Sequence, residues 1–212
     1  YWILFLVTVP LVALLLRMGW VHRSHLKELS IRHRNGLILV FVATVFIQVH
    51  EPHSFKILPE EYTIGSTARS MHLYRENAIV DVGYFSESLF SRVTSRMSES
   101  YPFYPWVLSL VHGLTGFRPE NAFVLNAILG FVTCLLVYAL VSGWMGTIYG
   151  KLSVLLLIGL PAFHEAVTGA GNDVLVICLL LFMLWQCRRY VENGNQSDFV
   201  ILILTGFVLA CS

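Results

Sequence analysis

The chain has 212 residues, of which 56% are hydrophobic and 13% charged, and a formal net charge of +1. Soluble domains carry about 25% charged residues, so this composition belongs to a multi-pass integral membrane protein. The near-neutral charge, with no basic run interleaved with stacking aromatics, excludes nucleic-acid binding. Cys134, Cys178, Cys187 and Cys211 lie in or beside apolar segments without a CxxC spacing. They read as packing residues and not as a disulfide framework or zinc site.

A bilayer-crossing helix takes about 20 mostly apolar residues. Spans are predicted near 1–17 and 36–49, the first without a signal-peptide cleavage site after it. Between them lie Arg17, Arg23, Lys27, Arg32 and Arg34 against one acid, Glu28, which places this loop in the cytoplasm. The polar stretch that follows, 50–121, then faces the periplasm, cell exterior or lumen.

That outer stretch opens on Pro59-Glu60-Glu61, a helix-start signal. The two carboxylates serve either as a general base toward a hydroxyl or as an acidic first turn favoured by the helix dipole. Phe85, Leu89, Val93 and Met97 recur every four residues and predict an amphipathic interfacial helix. Arg69, Arg75, Arg92 and Arg96 can grip a lipid phosphate or snorkel toward headgroups. Glu99 precedes Tyr101-Pro102-Phe103-Tyr104-Pro105, which suits either a sugar site or an interfacial aromatic belt. Pro102 to Gly116 is too short to span and predicts a re-entrant or interfacial helix.

Further spans are predicted near 122–144, 149–163, 173–187 and 199–212, with a Gly-rich turn at Gly143, Gly146 and Gly150 and Pro161 closing the fourth. Asn172-Asp173 opens the fifth, as a helix cap or as a functional acid at the membrane rim. If the 102–116 segment stays on one side, Arg188-Arg189 falls inside, and Glu60-Glu61 and Asp173 both fall outside. The sequon Asn195-Gln196-Ser197 then lies inside and goes unused. The pairs His50-Glu51-Pro52-His53 and His164-Glu165 lack the HExxH spacing and read as ordinary loop histidines. The whole reads as an all-α polytopic helix bundle, a single transmembrane domain of a longer protein, with juxtamembrane helices in its first outer loop.

The order of these features resembles the amino-terminal part of the GT-C glycosyltransferases. That group includes protein O-mannosyltransferases and aminoarabinose–lipid A transferase. The paired acids, then Thr67-Ala68-Arg69-Ser70-Met71, then Glu99-Ser100-Tyr101-Pro102-Phe103-Tyr104, then Asn172-Asp173-Val174-Leu175 follow the family order over roughly Leu37 to Val191. Glu60 stands where the family has Asp, Ser100 where it has Lys, and Tyr101 where it has Pro. The resemblance implies an inverting transfer of a sugar from a polyprenyl-phosphate donor to a hydroxyl acceptor on a protein, glycan or lipid. It implies Glu60 as base, with Glu61 and Asp173 beside it in the catalytic set. Arg69 and Arg75 fall on the phosphate, and Glu99, Tyr101 and Tyr104 on the sugar. The acids Glu61, Glu99 and Asp173 orient hydroxyls or hold a divalent metal. The alternative is a GT-C-like scaffold, assembly or transport subunit without catalysis. It differs in one respect that geometry reveals: an enzyme gathers its carboxylates around one site.

Overall fold

The computed structural model describes residues 8–10, 13, 33–56, 58–86, 89–98 and 101–212. Most of the predicted first span, the basic loop as far as Arg32, and Glu99 lie outside the described residues.

The first helix, α1, runs Arg34–His50 and packs against α4, Glu120–Met145. At one end His33 Nδ1 meets the Tyr138 hydroxyl at 2.9 Å, and at the other the His53 ring lies 6.0 Å from Phe123. The two helices are therefore antiparallel. A Cβ at Gly36 would overlap the Tyr138 ring, so glycine permits this close approach. Since α1 ends where α4 begins, everything from Glu51 to Pro119 returns to one end of the bundle. The short α3, Phe103–Thr115, has 13 residues, fewer than the about 20 that a crossing helix takes.

Helix α4 has 26 residues, about 39 Å at 1.5 Å per residue, longer than a hydrocarbon core of about 30 Å. It ends at Gly146, whose φ of 101° a residue with a Cβ rarely adopts. The next predicted span is two helices instead of one: α5, Thr147–Ile158, and α6, Pro161–Thr168, bent 73° apart. The reason is Pro161, which cannot continue α5 but sits well at the first position of α6. Helix α7, Asp173–Asn193, is the second one long and apolar enough to cross, and α8, Gln196–Ala210, returns beside it. Asn195 caps α8, its side chain accepting from the Ser197 N–H at 3.1 Å.

The predicted amphipathic helix at 85–97 is corrected. Residues Ala78–Ser86 (β1) and Leu89–Met97 (β2) form an antiparallel hairpin, so the fold is mostly, not wholly, α-helical. A spacing of four is also twice the strand period, so Phe85, Leu89, Val93 and Met97 fit either element. Ile79, Val80, Val82, Tyr84 and Phe85 favour the strand. The register shifts between Val80 and Gly83. The hairpin is tied to α2, Leu58–Tyr74, by the Val80 N–H donating to Ser66 Oγ at 3.2 Å and by Thr67 donating to Ser98 at 3.1 Å.

Two cores hold these parts. One joins Ile64, Ala68 and Met71 of α2 to Tyr104, Trp106 and Leu108 of α3 and to Leu125, Leu175 and Ile201 of the bundle. The other packs Val40, Ala43 and Ile47 of α1 with Cys134, Tyr138, Val154 and Val167. Cys134 and Cys178 are buried and Cys187 is exposed, and all four cysteines are free thiols. Outward, Phe41, Val42, Ile128, Leu156 and Leu184 are exposed. Such a surface suits lipid, which solvates apolar side chains without cost.

Candidate functional site

The acidic pair sits in the first turn of α2, and neighbours on a helix point about 100° apart. Glu60 is exposed, whereas Glu61 is 4% exposed and turned into the bundle. Its Oε1 accepts the Ala170 N–H at 2.7 Å. That amide lies in the turn Gly169–Asn172, between α6 and α7. A carboxylate this buried needs such a donor, since an unpaired charge away from water is costly.

The turn is held from below by Asn126 of α4, which is fully buried. Its Nδ2 donates to the carbonyls of Gly169 and Gly171, both at 2.9 Å. Its Oδ1 accepts the Tyr104 hydroxyl at 2.9 Å. Asn172 then donates to the Ser212 carbonyl at 2.8 Å, and Cys211 O accepts the Phe103 N–H at 3.0 Å. One end of the bundle thus gathers Glu61, Tyr104, Asn126, the 169–172 turn and the end of α8. The opposite end carries basic groups: Arg188 reaches the Gly143 carbonyl and Glu192, and Arg189 Nη2 lies 3.7 Å from Asp198.

Beside Glu61 opens a cavity of about 450 Å³, lined by Phe55, Glu61, Tyr62, Ser66, Arg69 and His112, among others. Arg69 stands with its guanidinium 4.8 Å from the Phe117 ring centre, a cation–π contact that fixes one face of the group. His112 is buried, and its Nδ1 meets the Asn121 amide nitrogen at 2.8 Å. Asn121 Nδ2 also donates to the Gly116 carbonyl, so this nitrogen is the donor and His112 Nδ1 the acceptor. The ring proton therefore rests on Nε2. Burial, with the neighbouring His72 second, pulls the imidazole down to about 4 and keeps it neutral near pH 7.

The site residues read from sequence separate into groups. Glu61 and Arg69 line the cavity, and Asp173 is exposed at the end of the turn that Glu61 binds. Glu60 and Arg75 are exposed, Arg75 with a φ of 60° just past the end of α2. Tyr104 is fully buried and its hydroxyl donates to Asn126 Oδ1. Burial first, and the Glu61 charge second, hold its phenol well above the usual tyrosine range. Tyr101 is exposed, and the exposed aromatics at the cavity are instead Phe55, Tyr62 and Phe117. Among the described residues no three of His, Cys, Asp and Glu come together as metal ligands. The histidine–acid pairs are structural ties, His164 Nδ1 lying 3.6 Å from Glu51 and His53 bonding Gln48 at 2.6 Å. Asn126 and His112 escaped the sequence reading. An Asn in the interior of a long apolar helix was the available signal for the first, since such residues seek partners.

Among the described residues the bundle has two helices long and apolar enough to cross a membrane, a third if the bent pair counts as one span, and a cavity at one end that Glu61 lines, which is consistent with a partial polytopic bundle of the GT-C type. The family model described as dolichyl-phosphate-mannose-protein mannosyltransferase matches residues 99–211, just over half of the chain. The chain belongs to that family. The matched region holds α3 to α8 with Tyr104, Asn126 and Asp173, and leaves Glu60, Glu61, Arg69 and Arg75 outside it. No curated protein and no solved structure matches the chain.

Proposed function

We propose that this chain is the site-bearing part of an inverting membrane glycosyltransferase. It moves a sugar from a polyprenyl-phosphate donor to a hydroxyl acceptor at the non-cytoplasmic face. The observation that carries this reading is the cavity that Glu61 and Arg69 both line.

A lipid-linked donor stays in the bilayer, so its phosphate and sugar lie at headgroup depth. The cavity belongs to the loop-and-hairpin end of the bundle, which suits that depth. Glu60, in water and unburied, takes the proton of the acceptor hydroxyl. The acceptor oxygen bonds the anomeric carbon from one face while the bond to the phosphate oxygen breaks on the other. Polyprenyl phosphate leaves with the electron pair, and the anomeric configuration inverts. Arg69, steadied on Phe117, stabilises the charge that grows on the leaving phosphate, with Arg75 as the second candidate. Glu61 and Asp173 orient sugar or acceptor hydroxyls, as does Glu99. Phe55, Tyr62 and Phe117 supply apolar surface for a sugar ring. Tyr101 stays with the exposed surface around the site.

The test uses the full-length protein in lipid nanodiscs with a panel of radiolabelled polyprenyl-phosphate sugars and hydroxyl acceptors. Wild type transfers label and releases polyprenyl phosphate, and Glu60→Gln does neither. Full rate in Glu60→Gln would remove Glu60 as base. A folded wild type that turns over none of the donors would favour the non-catalytic scaffold.

A further inference from the structure

We infer that Asn126 is a positioning residue of the acidic end: its amide sets the shape of the Gly169–Gly171 turn and so delivers the Ala170 N–H to Glu61. The role in catalysis rests on the transferase reading, whereas the positioning itself does not.

A side-chain amide has one oxygen acceptor and two N–H donors. Asn126 spends all three, the oxygen on the Tyr104 hydroxyl and the two hydrogens on the Gly169 and Gly171 carbonyls. The Ala166 carbonyl lies 3.5 Å from the same nitrogen. The amide cannot flip, because its oxygen would then face two carbonyl oxygens. Those two carbonyls flank Ala170 on either side. The Gly169 carbonyl and the Ala170 N–H belong to one planar trans peptide and point opposite ways, so holding that carbonyl toward Asn126 directs the N–H to Glu61 Oε1 at 2.7 Å, while the Gly171 carbonyl pins the far side of the turn.

The local sequence serves this arrangement. Gly169 is needed because a Cβ there would come 3.0 Å from Glu61 Oε1 and 2.9 Å from the Glu165 carbonyl. Tyr104 adds the third arm, from α3, so one residue of a long apolar helix links three separate elements: α3, the turn and, through it, α2. Asn126 does not line the cavity beside Glu61, so its effect on a ligand there passes through the turn to Glu61 and Asp173. Asp173 lies two residues beyond Gly171 and starts α7, so its place depends on the same turn.

The experiment combines an isosteric swap with a double-mutant cycle on the full-length protein. Asn126→Asp keeps the volume and the acceptor for Tyr104 but turns the two donors into an oxygen against two carbonyls. It should lower the melting temperature at least as much as Asn126→Ala. An Asp variant melting like wild type would show that Asn126 only fills space and would overturn the inference. In the cycle, Asn126→Ala and Glu61→Gln should be non-additive, the double variant melting no lower than the worse single one. Additive losses would show that Glu61 keeps its amide without Asn126. Should the Asn126 variants fail to fold, Tyr104→Phe, which removes a single arm, takes their place in the cycle. In the transfer assay both Asn126 variants should lose on the order of tenfold to 100-fold in kcat, the cost of a misplaced group, with donor KM little changed. An inactive wild type would sink the transferase reading alone, since the melting cycle still decides Asn126.

Discussion

Gly169→Ala isolates the close contact at the centre of the acidic end. The backbone is not the obstacle: φ at Gly169 is −88°, which alanine adopts freely. The obstacle is space, since the new methyl would lie 2.9 Å from the Glu165 carbonyl oxygen, 3.0 Å from Glu61 Oε1 and 3.3 Å from Lys56 Cγ. The carbonyl cannot retreat easily, because it accepts the Gly169 N–H at 2.9 Å to finish α6. Glu61 can swing away, but it then abandons the Ala170 N–H while remaining buried. Overpacking costs about 1–3 kcal/mol, and a hydrogen bond to a charged group about 1.5–3 kcal/mol. The protein takes the cheaper route, so the loss is about 2 kcal/mol, or about 4–8 °C in melting temperature for a chain of this size. Gly171→Ala is the control two residues on, where a methyl meets nothing nearer than Asp173 Oδ2 at 3.7 Å. Its melting temperature should stay within about 2 °C of wild type, the usual range of a neutral substitution. The measurement is thermal unfolding in detergent, followed by a dye for exposed thiols or by circular dichroism. Equal melting of Gly169→Ala and wild type, or an equal fall in both variants, would refute the close approach of Glu61 to the turn.

Further outcomes follow from other contacts. Glu60→Gln should leave the melting temperature unchanged, because Glu60 is exposed, while abolishing transfer; a large fall in stability would contradict its placement. Tyr104→Phe should cost about 1 kcal/mol, the worth of one neutral hydrogen bond, by loss of its bond to Asn126. His112 contributes a pH dependence whose sign is fixed. Its folded pKa, about 4, lies below the ordinary 6.5, so the unfolded chain takes up the proton first. Its contribution is complete above the ordinary value and declines as pH falls from about 6.5 toward 4. A melting series from pH 7.5 to about 4.5 should therefore fall more steeply for wild type than for His112→Gln. Parallel curves would mean that the imidazole is not held neutral. Gly130→Ala should destabilise the contact of α4 with α6 by about 1–3 kcal/mol, since a Cβ would lie 2.7 Å and 2.8 Å from the two methyls of Val167.

Much of the bundle was legible because apolar length and basic flanks are properties of single segments. The helix start at Glu60-Glu61, the short 102–116 helix and the Gly-rich turn all appear in the structure at or near the residues expected. Elements that depend on pairing were not legible. The hairpin has the same four-residue spacing as a helix face, and a partner strand alone decides between them. The break before Pro161 was read as the end of a span, when the chain instead turns 73° and continues as α6. At the acidic end the sequence shows residue types but not their arrangement. Two adjacent glutamates look equivalent in sequence, yet one helical step puts Glu60 outside and Glu61 on the Ala170 amide. Tyr104 read as a ligand platform because tyrosines often are, and its burial behind the site depends on Asn126, 22 residues further along the chain.

The two-stranded hairpin sets a limit on where the whole assembly can float. A hairpin has two open edges, and an edge row of N–H and C=O groups does not enter hydrocarbon. It behaves as the broad cap of a stopper: the helices below can tilt or shift in the bilayer, but the cap stays in the headgroup layer or above it. Because Val80 binds Ser66 and Thr67 binds Ser98, the cap is joined to the same helix that presents Glu61 and Arg69. The depth of the cavity is thereby fixed by backbone chemistry instead of by span length, so a bilayer of different thickness would move the far end of the bundle and leave the acidic end at the waterline.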